Sequence, residues 1–208
     1  GRQIDAQLTA VPGGDVCVGQ MYVTASGDTE IDIEFVDSAR LSPILSIAVN
    51  GTVTIDWGDN TASSTVTGTS LTARLSPTHT YTSAGKYTIK IHVVSGSFAF
   101  RCTSSYLLLR KNTTGNENRI YANCIKAIRL DTGITSIGDN SFYYCTSLSS
   151  VAIPSTVTSI GGSAFYSCYS LSSVTVPSGV TSIKNASLRS CVALSSVAIP
   201  SSVTSITT

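Results

Sequence analysis

The sequence predicts a mainly β protein in two parts, a small β-sandwich followed by a short solenoid. Three observations lead there. A 23-residue unit recurs without insertion through the last part of the chain. Upstream of it, short segments of alternating apolar and polar residues are separated by turn residues. Only 12% of the 208 residues are charged while 42% are hydrophobic, so Ser and Thr carry much of the polarity. That charged share is about half the usual one, and it suits a chain that works outside the cell.

The repeat is read first because it constrains the fold most strongly. From Ile128 the chain reads IRLDTGITSIGDNSFYYCTSLSS, from Val151 VAIPSTVTSIGGSAFYSCYSLSS, and from Val174 VTVPSGVTSIKNASLRSCVALSS. A partial copy runs from Val197 to Thr208. Apolar residues fall in fixed columns: Ile128, Val151, Val174 and Val197; Leu130, Ile153, Val176 and Ile199; Ile134, Val157, Val180 and Val203; Ile137, Ile160, Ile183 and Ile206. Phe142, Phe165 and Leu188 follow, then the three cysteines, then Leu148, Leu171 and Leu194. The first two columns have strand periodicity and are rich in β-branched residues. Pro154, Pro177 and Pro200 end that strand. Ser141 to Cys145 and its copies are long enough for one helical turn. A single unit cannot bury seven apolar columns, but stacked units turn each column into an internal ladder, with rungs about 4.8 Å apart.

The Val-x-Ile-Pro-x-x-Val-x-x-Ile-Gly element and the Ala-Phe-x-x-Cys-x-x-Leu element, clearest from Val151 to Leu171, resemble the BspA-like leucine-rich repeats of bacterial surface proteins. The resemblance spans roughly residues 120–208. The third copy departs from it at Leu188 and Lys184, which affects the local turn. The resemblance implies an adhesion or interaction protein at the cell surface or secreted.

Six cysteines are present, at 17, 102, 124, 145, 168 and 191, with no Cys-x-x-Cys pair to suggest a zinc or redox site. Cys145, Cys168 and Cys191 recur with the repeat. Rung spacing would allow a disulfide between neighbours, yet three parallel inward thiols cannot all pair, and the favoured reading is a packed ladder of free thiols. Cys124 falls in an imperfect capping rung.

Residues 20–110 read as short strands: Met21 to Val23, Ile31 to Phe35, Ile44 to Val49, Val53 to Trp57, Arg74-Leu75, Tyr87 to Val94, Phe98 to Cys102 and Tyr106 to Leu109. Asn50-Gly51 predicts a hairpin turn between two of them. Val53-Thr54-Ile55-Asp56-Trp57-Gly58-Asp59-Asn60, followed by His79-Thr80-Tyr81 and Gly85-Lys86-Tyr87-Thr88-Ile89, resembles the polycystic-kidney-disease (PKD) domain, an immunoglobulin-like sandwich of extracellular proteins. Asn60 replaces the family's last Gly, and the aromatic pattern is shifted. The match covers roughly residues 40–95, and residues 1–39 lie outside the motifs. Domain boundaries are expected at 1–110 for the sandwich with its lead segment, 111–119 for a polar linker and 120–208 for the solenoid.

The chemistry in these motifs is structural. Gly58 and Asn60 suit positive φ in a tight turn, Asp59 suits hydrogen bonding to that turn's amides, Trp57 fills the core, and His79 closes the turn from the other side. His79 with Asp59 or Asp56 lacks an accompanying activated nucleophile. Asp56, Asp59 and Asn60 fall short of the six to eight oxygens of a good calcium site. His92 sits on the solvent face of a strand. No metal site, cofactor or catalytic residue is assigned, and the chain is not read as an enzyme. Gly13-Gly14 is an ordinary turn, and the sequons at Asn50, Asn112 and Asn185 carry no weight in a bacterial protein.

Net charge is +1 and the longest basic cluster is Arg110-Lys111, which gives no basis for nucleic-acid binding. No apolar run has the length of a membrane span, so direct membrane insertion is not expected. Gly1-Arg2 opens the chain without Met or an apolar leader, as expected of a sequence whose signal peptide has been removed or trimmed away.

The expected function is a binding or adhesion module of a bacterial surface, with a host or bacterial surface protein or a glycan as partner. The alternatives are a structural spacer and a carbohydrate-binding accessory protein. Tyr143, Tyr144, Tyr166 and Tyr169 are candidate contact residues beside the Phe column, with inter-rung packing as the alternative. Among the outward strand positions, Arg129 and Thr175 are the polar candidates, with Ala152 and Ala198 beside them. One face of four rungs offers roughly 400 Å², half of what each partner gives to a standard interface. Since Thr208 falls part-way through a rung, a homodimer contact there, or a last rung covered by its own tail, is expected.

Overall fold

The computed structural model describes residues 21–24, 27–103, 107–111 and 118–207. In chain order the elements begin with β1 (Met21–Thr24), β2 (Asp28–Phe35), a 3₁₀ turn (Ser38–Arg40), β3 (Ile44–Leu45), β4 (Ile47–Asp56), β5 (Ser64–Leu75), β6 (Gly85–Phe100) and β7 (Leu109–Arg110). They continue with a short helix α1 (Asn118–Ala122) and β8 (Ile125–Arg129). The repeats supply β9 (Ser136–Ile137), β10 (Ser150–Ala152), β11 (Ser159–Ile160), β12 (Ser173–Thr175), β13 (Ser182–Ile183), β14 (Ser196–Ala198) and β15 (Ser205–Ile206). Among the described residues no helix is long and apolar enough to cross a membrane.

Seven strands form one sheet in the order β10-β8-β2-β6-β4-β5, with β1 also on β6. Strand β2 alternates buried and partly exposed residues, which is the mark of a sheet with one dry face. That face carries Ile31, Ile33, Ile55, Trp57, Ile89 and Ile91. The two-stranded β3–β7 ribbon adds Leu45 and Leu109 to the same core. Two facing sheets are expected from the sequence; the described strands upstream of the repeats lie in this large sheet and the small ribbon.

Asn50-Gly51 is not a hairpin. It lies within the ten-residue β4, where Gly51 sits opposite Gly68 of β5 and Gly96 of β6. The three glycines form a row across three strands. A Cβ on Gly51 would lie 2.2 Å from the Ser95 carbonyl oxygen, and one on Gly96 would lie 1.9 Å from that of Asn50. Both also have positive φ. The glycines therefore serve close backbone approach between strands, which a dipeptide reading attributes to a turn. The segments 87–94 and 98–102, expected as two strands, are joined through this row into the sixteen-residue β6. Strand β5 starts at Ser64, ten residues before its expected Arg74. Tyr106 and residues 112–117 lie outside the described residues, while α1 begins at Asn118, at the end of the expected linker.

The solenoid stacks in parallel, register for register: Ile137, Ile160, Ile183 and Ile206 are paired in turn through β9, β11, β13 and β15. A second parallel set pairs β8 with β10 and β12 with β14. The third side of each rung is also tied to the next. Asn140, Phe142 and Tyr144 donate N–H bonds to Gly162, Ala164 and Tyr166, and Ser163, Phe165 and Ser167 donate to Asn185, Ser187 and Arg189. Within this side, the expected helical turn consists of bonds from residue i to residue i−3, such as Cys145 N–H to Phe142 C=O. To make the corner, each rung holds two non-glycine residues in the left-handed region: Asn140, Ser163 and Ala186 in one column, Tyr144, Ser167 and Ser190 in another.

Exposure within one column shows what buries the core. It rises from 1% at Ile137 to 3% at Ile160, 6% at Ile183 and 55% at Ile206. The residue type is constant, and only the cover from a following rung changes. At the other end, β8 pairs antiparallel with β2 and parallel with β10, so the N-terminal sheet continues directly into the first rung.

Candidate binding surface

The four predicted tyrosines come together on the third side of the solenoid. Tyr143 and Tyr166 occupy one column in successive rungs, with rings stacked 5.0 Å apart at 16°. Tyr144 packs against both, at 4.9 Å from Tyr143 and 6.0 Å from Tyr166. In the third copy the same column holds Arg189, whose guanidinium carbon lies 5.9 Å from the Tyr166 ring centroid. At the opposite end, Arg119 of α1 places its guanidinium 3.9 Å over Tyr144. The result is a row of three rings ended by two arginines.

The expected alternatives are both present in this row. Tyr143, Tyr144 and Tyr166 are partly buried and pack between rungs, while Tyr169 is 42% exposed. Burial raises the Tyr143 phenol above its ordinary value, helped by Tyr144 and Tyr166 and opposed by Arg119. The Tyr143 phenol is therefore held in its neutral, hydrogen-bonding form. Arg119 and Arg189 carried no signal in the sequence, since the rung stacking and α1 bring them to the tyrosines.

Arg129 is exposed but already engaged. Its Nε donates to Glu30 at 2.6 Å, and its two terminal nitrogens donate to Asp32 at 2.7 and 2.8 Å. The hydrogen bonds from Arg129 hold the Asp32 carboxyl below its ordinary range, against the opposing effect of burial and with help from Thr88. Both acids lie on β2, so this cluster joins the first rung to the N-terminal sheet. Lys126 and Lys86 reach Glu34 at 3.5 and 4.0 Å, and Lys90 reaches Glu30 at 3.7 Å, on the same open polar face. Thr175 is exposed on β12, away from this cluster.

The motif residues of the N-terminal part lock one another. His79 Nε2 bonds Asp59 Oδ2 at 2.7 Å, and its ring stacks on Trp57 at 5.1 Å. The Tyr81 hydroxyl donates to the Trp57 carbonyl at 2.9 Å, and Trp57 Nε1 donates to Ser64 Oγ at 2.9 Å. Asp59 Oδ1 accepts the N–H and hydroxyl of Thr61, while Gly58 and Asn60 have positive φ as expected. Against the cost of burial, the bonds from Thr61 and His79 keep the Asp59 carboxyl low. His92 is exposed and bonds Asp28 at 2.8 Å.

Cys124, Cys145, Cys168 and Cys191 are free and buried, and Cys102 is buried; Cys17 lies outside the described residues. The Cys168 and Cys191 thiols donate to the carbonyls of Phe142 and Phe165, each at 3.2 Å. Burial raises the repeat thiols, and it pushes Cys124 up to about 11. They behave as small core groups with a weak donor. No group of three or more potential metal ligands occurs among the described residues.

The model of the BspA type leucine-rich repeat region matches residues 92–208 in six copies, more than half of the chain. This chain belongs to that family. The match begins within β6, upstream of the rungs that stack in regular register from β8 onward. Among solved structures, a leucine-rich repeat protein of T. pallidum is 29% identical, over 39% of this chain and 38% of that one, with a TM-score of 0.39. A leucine-rich repeat protein of Bacteroides ovatus is 34% identical, over 41% and 22%, with a TM-score of 0.39. A leucine rich cell surface protein of Faecalibacterium prausnitzii is 23% identical, over 44% and 40%, with a TM-score of 0.24. The chain thus covers well under two thirds of each. No curated protein matches it.

Proposed function

We propose that this chain is a non-catalytic binding or adhesion module of a bacterial cell-surface or secreted protein, and that it meets a host or bacterial surface protein, or a glycan, through the tyrosine row. The observation that carries this reading is the row itself: rings from successive rungs align into one partly open strip, with Tyr169 beside it. Tyrosine supplies contact area at low entropic cost and a hydroxyl for orientation. Family membership supports the location, since BspA-type proteins are typically found at the cell surface or outside it. Thr175 and Arg129 are lesser candidates, because Arg129 already serves the Glu30–Asp32 cluster.

The N-terminal part is proposed to be PKD-like, supported by the Asp59–His79 and Tyr81–Trp57 bonds between the two motifs. In this reading the chain divides at 111–119 into residues 1–110 and 120–208. The half-exposed Ile199 and Ile206 also support pairing of two copies through the last rung, which sedimentation at rising concentration would test. For the main proposal, the intact chain and its Tyr143→Ala/Tyr169→Ala variant are applied to a glycan array and to immobilised purified surface proteins. Binding by the parent and at least a fivefold loss in the variant is expected. Silence of the parent on both would refute the binding role in favour of a structural spacer. A glycan signal alone would identify a carbohydrate-binding accessory.

A further inference from the structure

We propose that the tyrosine row is a receptor for an extended acidic peptide segment of a partner protein, with Arg119 and Arg189 as its two carboxylate anchors. This rests on the binding role proposed above and adds the chemistry of the partner.

Among the described residues, the charge on this strip has no carboxylate partner. Arg119 and Arg189 are both exposed, and neither forms a salt bridge among the described residues. The basic residues on the β2–β8 face are in the opposite situation, since Arg129, Lys126, Lys90 and Lys86 each have a carboxylate within 4.0 Å. Among the described residues, the groups that act electrostatically on Tyr143, at the middle of the row, are Tyr144, Tyr166, Arg119 and Tyr169, with no acid among them. An anion arriving here meets two guanidinium groups, each resting on a ring face that orients it. Their outward N–H donors are available for charge-assisted bonds.

The state of the rings favours a peptide over a sugar. A pyranose ring stacks on an open aromatic face. Here Tyr143 and Tyr166 cover each other, and Arg119 covers Tyr144. The row therefore offers ring edges and hydroxyls, which suit backbone amides and carbonyls.

Spacing makes the inference specific. From Tyr144 in the first rung to Arg189 in the third is two rung steps, roughly 10 Å, and Arg119 lies 3.9 Å beyond the Tyr144 ring, so the two arginines are roughly 14 Å apart. An extended peptide advances about 3.4 Å per residue, so two acidic residues four positions apart span the same distance. A neutral stretch between them would lie across the tyrosine hydroxyls.

The test uses the full chain and three probes: a fluorescein-labelled peptide Gly-Asp-Thr-Ser-Thr-Asp-Gly, its analogue with Asn for both Asp, and polygalacturonate as an acidic glycan. The acidic peptide is expected to bind at least tenfold more tightly than the neutral one and to weaken with salt. Arg119→Gln and Arg189→Gln should each reduce affinity about five- to tenfold. Neither arginine belongs to the core, and circular dichroism verifies that each variant is folded. Equal binding of the two peptides, unchanged affinity in both variants, or binding of polygalacturonate in preference to the peptide would overturn the proposal. If the double arginine variant keeps the full array or surface-protein signal, this inference fails while the binding role stands. If the parent is silent in those assays, the binding role itself fails.

Discussion

Replacing Gly161 with Ala tests whether the rungs touch as described, because this glycine lies directly on the main chain of the rung before it. A Cβ there would sit 2.4 Å from Asp139 N and 2.5 Å from the Gly138 carbonyl carbon. Ordinary contact begins near 3.4 Å, so the shortfall is about 1 Å against backbone, which cannot rotate aside as a side chain can. The rungs must part locally, lengthening the 2.7 Å bond from Gly161 N–H to Ile137 C=O. Overpacking of this kind costs about 1–3 kcal/mol, which lowers the melting temperature of a chain this size by about 3–10 °C. One rung on, Ala186 occupies the left-handed region at φ 56°. That conformation costs a non-glycine residue about 1–2 kcal/mol, and glycine gives back about 0.5–1 kcal/mol through its freer unfolded chain. Ala186→Gly should therefore stabilise by about 0.5–1 kcal/mol and raise the midpoint by about 1–3 °C. Thermal melts followed by circular dichroism measure both. A Gly161→Ala protein melting with the parent, or an Ala186→Gly protein melting below it, would refute the rung contacts and the corner geometry respectively.

Three further outcomes follow from the stacking and the charge cluster. Ile160→Ala should cost about 2–5 kcal/mol in urea unfolding, whereas Ile206→Ala, in the same column but half exposed, should stay within about 0.5 kcal/mol; equal effects would contradict burial by stacking. Cys102, Cys124, Cys145, Cys168 and Cys191 should resist a thiol reagent at pH 8 in the folded protein and react on unfolding, as peptide mapping would show; rapid native labelling of any repeat thiol would exclude the ladder. Asp32 has a lowered pKa when folded, so its contribution is complete above the ordinary carboxylate range and fades as pH falls below about 4. Arg129→Gln should accordingly destabilise by about 1 kcal/mol at pH 7 and by progressively less as pH falls below about 4; a difference undiminished in acid would assign the effect to packing.

The residues that were read correctly in isolation are those whose role is repeated or local. Ile137, Ile160 and Ile183 announce a shared interior because the same spacing recurs, and Gly58 and Asn60 announce a tight turn because their conformational demands are their own. The first half of β5 carries a weak strand signal because Ser64 to Ser70 alternates Thr with Ser, Val and Gly and shows little apolar contrast. Asn50-Gly51 is ambiguous in sequence because the same two letters serve a hairpin or a crowded strand, and only the strands beside it distinguish the two. For the candidate surface, the tyrosines were visible as neighbours of a repeating Phe. Arg119 and Arg189 were not, being 70 positions apart with nothing local to relate them.

Periodic hydrophobicity was thus enough to establish the solenoid, its rung length and its dry columns, since every rung solves the same burial problem with the same spacing. Tertiary structure decided the rest: the glycine row where three strands approach, the antiparallel pairing of β2 with β8 that carries one sheet into the first rung, and the guanidinium groups at both ends of the tyrosine row. Each of those depends on which distant segments become neighbours, and that is settled by packing among all the elements at once.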